Sequence, residues 1–137
     1  MKKFTRTYAI IHLDALHANI RQAKERVGDN VKIMAIVKAD AYGHGAIEVA
    51  KAIKDEVYGF AVATAREAIE LREHGINNMI LVLGYVCKAE YEEAIRNRIT
   101  FAMLSEEMAK EVSECAVQML SLIHISKPTR HAQISYA

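Results

Sequence analysis

The feature that most constrains the fold is a repeated pairing of an apolar run with a stretch of helical periodicity. Apolar runs begin near Lys32, Tyr58, Met79 and Ile99, so successive runs start 20 to 26 residues apart. Near-continuous apolar runs are typical of parallel strands that are covered on both faces. Strands that alternate with amphipathic helices build βα units. The pattern predicts an α/β fold with a parallel sheet, either a (β/α)₈ TIM barrel or a doubly wound sheet.

Polar residues mark where several helices should begin. Residues 7–13 are expected to form a strand or an extended arm, after which Asp14 can cap a first helix. Thr64 and Glu67 have the spacing of a capping box, in which each side chain accepts a backbone N–H of the helix terminus. Ser105 is expected to cap a last helix that runs to about Cys115.

Composition predicts one globular core and argues against polyanionic partners. Of 137 residues, 52% are hydrophobic and 26% are charged, and the net charge of +1 supplies no field to attract nucleic acid or a membrane surface. The apolar segment that follows the first residues is too short for a signal peptide, so a cytoplasmic location is expected. Cys87 and Cys115 lack metal or disulfide spacing and are expected to be packed, reduced thiols.

A lysine stands where the first long apolar run, residues 32–37, ends. Against apolar surface the ammonium group of Lys38 would lose stabilisation, which frees its lone pair to form a Schiff base with an aldehyde. Gly43 and Gly45 allow the following loop to bring its backbone and the Tyr42 hydroxyl close to a phosphate. These residues favour a pyridoxal phosphate site. The alternative is a strand-end lysine followed by an ordinary turn.

The string Val37-Lys38-Ala39-Asp40-Ala41-Tyr42-Gly43-His44-Gly45 resembles the cofactor-lysine motif of alanine racemases, which are fold-type III pyridoxal phosphate enzymes. The resemblance covers residues 3 to about 117. It implies a TIM barrel followed by a β domain, in a homodimer that binds pyridoxal 5′-phosphate.

The resemblance also implies roles for particular residues. Lys38 would be the Schiff-base lysine and the base for the D enantiomer, and Tyr42 would contact the phosphate or the cofactor. Val37 and Leu83, at strand ends, are expected to line the cofactor pocket, with ordinary barrel core as the alternative. The tyrosine that serves the opposite face in the family, and two arginines near the cofactor ring, have no counterpart in this sequence.

The chain departs from the family in its length and in its last residues. Four βα units are expected where the barrel needs eight, so residues 1–119 are predicted to be the N-terminal part of the cofactor-binding barrel domain. Residues 120–130 resemble the translation of a sequencing adapter, so residues 120–137 are predicted to be an artefactual tail. The alternative for the tail is a genuine edge strand. A half-barrel with open edges is expected to associate.

The function that the resemblance implies is interconversion of L-alanine and D-alanine for peptidoglycan synthesis, with the 137-residue chain inactive alone. One alternative is a non-catalytic pyridoxal phosphate carrier, as in single-domain homeostasis proteins of the same barrel type. Another is a related racemase or decarboxylase that acts on serine, lysine or diaminopimelate.

Other polar residues are given structural interpretations. His44 is expected to anchor its loop by a hydrogen bond. The acidic residues Glu67, Glu70 and Glu73 are expected to form the solvated face of one helix. The histidines show no metal-ligand pairing with one another or with the cysteines, so no metal site is implied.

Overall fold

The computed structural model describes residues 8–119 and 125–126, in which helices and strands alternate along the chain. The strands are β1 Met34–Ile36, β2 Gly59–Val62, β3 Met79–Val82, β4 Thr100–Ala102 and β5 Ile125–Ser126. The helical elements are α1 Leu13–Val27, α2 Lys38–Gly43, α3 Ala46–Ile53, α4 Ala65–Glu73, α5 Tyr91–Arg96 and α6 Glu106–Gln118, with a 3₁₀ turn at Lys88–Glu90.

The five strands form one parallel sheet in the order β1-β2-β3-β4-β5. Neighbours in the sheet are also neighbours in the chain, without the reversal of order that defines a doubly wound sheet. The predicted parallel α/β fold of the barrel type is therefore confirmed. The sheet contains a fifth strand beyond the four expected, since Ile125 and Ser126 pair with Phe101 and Ala102. The remainder of the predicted tail lies outside the described residues.

The two faces of the sheet differ in burial. Alternate residues of a strand point to opposite faces, and the side chains on the helix-covered face are almost fully buried: Val37, Phe60, Val62, Ile80, Val82 and Phe101. On the other face Ile36 is 51% exposed and Leu83 is 39% exposed. The core thus lies between the sheet and the helix layer. The opposite face of the sheet, called the inner face below, is exposed beside β1 and at the end of β3.

Two of the predicted helix caps are confirmed. The Thr64 hydroxyl accepts the N–H of Glu67 at 3.3 Å, and the Glu67 carboxylate accepts the N–H of Thr64 at 3.1 Å. The Ser105 hydroxyl accepts the N–H of Met108 at 3.0 Å, and α6 extends to Gln118. The predicted cap at Asp14 is wrong, because α1 begins at Leu13 and Asp14 lies inside its first turn.

Cys87 does not occupy the packed position that was expected. Both cysteines are free, but Cys87 is exposed and its N–H and thiol donate to the Glu90 carboxylate, each at 3.1 Å. The short polar turn after β3 therefore holds Cys87 at the surface. Cys115 is half-buried beside the core.

Arg72 joins two loops that precede strands. Its guanidinium donates to the carbonyls of Asn78 at 2.7 Å, Asn97 at 3.0 Å and Arg98 at 3.1 Å, and also to that of Ile76. Burial, followed by the charge of Arg98, lowers the pKa of Arg72. These bonds fix the loops before β3 and β4. Those loops lie at the amino ends of the strands, whereas Lys38 lies at the carboxyl end of β1.

Candidate functional site

Lys38 lies at the carboxyl end of β1, where parallel α/β folds place their ligand sites. The preceding Val37 is 2% exposed, and its N–H donates to Ala61 of β2 at 2.9 Å. Lys38 is half-buried, and Tyr42, at the far end of α2, is 62% exposed. The buried Val37 thus fixes the chain one residue before Lys38, at the carboxyl end of β1.

The α2 turn, Lys38–Gly43, is left-handed over four consecutive residues. Ala39, Asp40, Ala41 and Tyr42 have φ between 51° and 54° and ψ between 39° and 50°. Each non-glycine residue in this conformation costs about 1–2 kcal/mol. Gly43 and Gly45 also have positive φ, as their presence in the motif suggested. Residues 39–42 require supporting contacts, because each of these four residues carries a side chain that disfavours this geometry.

Several contacts come from within the motif itself. The Asp40 carboxylate accepts the N–H of Ala46 at 2.7 Å and so caps α3, while the Asp40 carbonyl accepts the N–H of Gly45 at 3.0 Å. Nδ1 of His44 donates to the Ala41 carbonyl at 3.0 Å. The predicted anchoring role of His44 is confirmed.

Glu67 supports the turn from helix α4. One carboxylate oxygen accepts the N–H of Ala39 at 2.8 Å, and the other accepts the N–H groups of Ala63 at 2.7 Å and Thr64 at 3.1 Å. The prediction that Glu67 belongs to a solvated acidic face is therefore wrong, although Glu70 and Glu73 are exposed. The capping-box spacing correctly indicated that Glu67 caps the start of α4. Its bond to Ala39, 28 residues away, has no local signal in the sequence.

Two cavities flank the turn. The first, of about 340 Å³, lies among α1, β1, α2 and α3, and Val37 and Tyr42 both contribute to its lining. The second, of about 300 Å³, is lined by Val37, Asp40, Ala46, Ile47, Val62, Glu67, Glu70 and Leu71. Lys38 and Leu83 line neither cavity. The structure brings Val37 and Tyr42 together and places Leu83 separately at the end of β3.

The polar groups of Lys38 and Tyr42 are available to a ligand. Within residues 8–119, no carboxylate lies within 4.0 Å of the Lys38 amine, and the Tyr42 hydroxyl has no hydrogen-bond partner. An amine that is not engaged in an ion pair can react with an aldehyde, and a free phenol can donate to a phosphate oxygen. This donor set fits pyridoxal phosphate.

The chain matches the family described as "Alanine racemase, N-terminal domain" over residues 11–131. The match extends past residue 119, the boundary predicted for the tail, and that boundary stays a prediction. Alanine racemase 2 of Caldanaerobacter subterraneus subsp. tengcongensis is 41% identical over 129 residues, which is 92% of this chain and 33% of the relative. The alanine racemase of Streptococcus uberis is 40% identical over 120 residues, which is 87% of this chain and 33% of the relative.

Solved structures agree with the sequence matches. The alanine racemase of Clostridium difficile 630 has a TM-score of 0.79 and 42% identity, over 81% of this chain and 29% of that one. The alanine racemase of Streptomyces lavendulae, a D-cycloserine producer, has a TM-score of 0.76 and 32% identity, over 82% of this chain and 30% of that one. The chain spans about a third of the length of the curated relatives it matches.

Proposed function

The chain belongs to the alanine racemase N-terminal domain family. From this premise we propose that it contributes the Schiff-base lysine, Lys38, of a pyridoxal phosphate-dependent racemase that interconverts L-alanine and D-alanine. The observation that carries the proposal is the half-buried Lys38 amine, held at the carboxyl end of β1 without a carboxylate partner among residues 8–119. Supply of D-alanine for peptidoglycan, a homodimeric assembly and a cytoplasmic location belong to the same proposal.

The side chains at the site would divide the work as follows. Lys38 would bind the cofactor covalently through Nζ and, once released, move the proton at the substrate Cα on the D side. Tyr42 would donate to the phosphate. Leu83, which directly follows β3 on the inner face of the sheet, would cover part of the cofactor with apolar surface. Pyridoxal phosphate, when bound, supplies the electron sink that stabilises the charge left when the Cα proton departs.

Val37 would act mainly through the backbone. Its side chain packs in the core cluster under the helices, and its N–H continues the pairing of β1 with β2. Burial of Val37 therefore fixes the point at which the chain leaves the sheet, one residue before Lys38. A direct contact of Val37 with the cofactor stays a proposal.

A labelling experiment tests the assignment of Lys38. The chain is incubated with pyridoxal phosphate and reduced with borohydride, and the modified peptide is identified by mass spectrometry. We expect the pyridoxyl group on Lys38 and its loss in Lys38→Ala. Lys51→Ala is the matched control, because Lys51 is half-exposed on α3 and lies near Glu48 on the helix surface.

Two outcomes would overturn the proposal. The first is an adduct spread evenly over the surface lysines, which would give Lys38 no special reactivity. The second is formation of D-alanine by the purified chain in a Lys38→Ala background, which would assign the proton transfer to another group.

A further inference from the structure

The first backbone N–H after Lys38 is held by a side chain from a different βα unit. The N–H of Ala39 donates to Oε1 of Glu67 at 2.8 Å, while Oε2 of the same carboxylate accepts from Ala63 and Thr64. One carboxylate therefore joins the connection after β1 to the connection after β2. These connections lie at the same edge of the parallel sheet, which is the edge that carries Lys38.

Within the motif, the attachment to the sheet is made by backbone alone: the Ala41 N–H donates to the Val37 carbonyl at 2.9 Å, and the Val37 N–H donates to Ala61 of β2. Among the residues that the structure describes, the side chains of Asp40 and His44 bond only to groups within residues 40–46. In the described part of the chain, Glu67 is the only side chain from outside the motif that hydrogen-bonds to the α2 turn. Its bond acts at Ala39, where the left-handed conformation begins.

We propose that Glu67 is a positioning residue for Lys38: its carboxylate fixes the start of the left-handed turn and thereby the direction in which the lysine side chain leaves the sheet. The inference rests on the proposed function of Lys38. A carboxylate suits this task because it accepts N–H groups on both oxygens and donates none. Three converging backbone N–H groups therefore find acceptors on one side chain.

Glu67 also caps α4, so the experiment must separate capping from positioning. Glu67→Ala removes both functions. Thr64→Ala removes the hydroxyl that accepts the N–H of Glu67 but leaves the carboxylate on Ala39. Glu73→Ala removes an exposed carboxylate from the same helix. Glu67→Gln retains one acceptor oxygen at nearly the same size, and it replaces Glu67→Ala if that variant does not fold.

The first measurement is hydrogen exchange at the Ala39 amide, followed by mass spectrometry with residue resolution and without cofactor. In Glu67→Ala we expect exchange to be about tenfold faster, as for loss of one charged acceptor. Thr64→Ala and Glu73→Ala should leave Ala39 protected. Unchanged protection in Glu67→Ala would overturn the inference whether or not Lys38 binds pyridoxal phosphate.

The second measurement is the rate at which pyridoxal phosphate forms a borohydride-reducible adduct on Lys38. We expect this rate to fall severalfold in Glu67→Ala and to stay unchanged in Thr64→Ala and Glu73→Ala. Faster exchange at Ala39 with an unchanged adduct rate would make the bond purely structural and refute positioning. If the unmodified chain forms no adduct on Lys38, the proposed function fails, while the exchange result still decides whether Glu67 holds the turn.

Discussion

Tyr91 couples the stability of the fold to pH through one buried hydroxyl. Its side chain is 1% exposed, packs near Phe101 and donates to Glu111 at 3.4 Å. Burial, followed by the negative charge of Glu111, raises the pKa of Tyr91 to about 12 from 10.0. The folded chain therefore keeps the Tyr91 proton over a range of pH in which the unfolded chain releases it.

This difference predicts a loss of stability at alkaline pH. Between pH 10.0 and about 12 the unfolded state binds fewer protons than the folded state, so the free energy of unfolding falls as pH rises. Urea unfolding at a series of pH values measures the slope. Tyr91→Phe should flatten this part of the profile, and equal alkaline slopes in the two proteins would refute the assignment.

The sequence gives different amounts of information about individual residues. Lys38 could be singled out because a lysine after an apolar run is a local pattern, and His44 because it lies within the same string. Glu67 was misassigned because its two exposed neighbours on the helix, Glu70 and Glu73, suggested a common face. Its contact with Ala39 depends on the parallel pairing of β1 with β2, which brings distant segments together.

Close approach of β2 and β3 makes Gly59 sensitive to substitution. A Cβ at this position would lie 2.5 Å from the carbonyl oxygen of Met79, which is backbone and cannot rotate away. We expect Gly59→Ala to lower the free energy of unfolding by about 1–3 kcal/mol, as overpacking does. Hydrogen exchange should increase in the β2–β3 pair, and α6 should remain protected.

Gly28→Ala is the control for this substitution. A Cβ at Gly28 would meet no heavy atom within 4 Å, although its φ of +79° strains an alanine. That variant should leave the β2–β3 amides protected. Unchanged exchange in the β2–β3 pair of Gly59→Ala would contradict the proposed clash.

The strands and two of the three helix caps could be predicted, whereas the α2 turn could not. Apolar runs indicate strands because the side chains that pack under the helices must be apolar. Thr64 and Ser105 mark helix starts because their hydroxyls accept backbone N–H groups. At residues 39–42 the side chains give little sign of positive φ, since alanine and tyrosine disfavour it. The turn forms because residues 39–42 bond to partners outside this segment, such as the Glu67 carboxylate and the Ala46 N–H.

The open side of the sheet predicts that the 137-residue chain associates with itself. Ile36 of β1 is 51% exposed on the inner face, and an apolar cavity of about 340 Å³ lies between β1 and the helices beside it. Among the described residues β1 pairs with β2 alone, and an unpaired strand edge next to apolar surface is a template for pairing with another copy. Sedimentation velocity over a range of concentrations should show oligomers, and Ile36→Lys should shift the population toward monomer. A monomer at all concentrations would contradict this expectation.

At the scale of the molecule, the sequence left the choice between a barrel and a doubly wound sheet open. Both are built from βα units, and the difference lies in the order of strands, which depends on long-range pairing. Resemblance of the residue 37–45 motif favoured the barrel, and the sequential strand order agrees with it. Within the described residues, no helix is long and apolar enough to cross a membrane.

The left-handed α2 turn also has a consequence for chirality. A left-handed helix is the mirror image of the right-handed one, so residues 39–42 adopt the conformation that D-amino acids prefer. Ala39 is exposed, so the inverted side chain would have room there. A D-alanine placed at this position by chemical ligation would relieve strain that every L-alanine at the same site must bear.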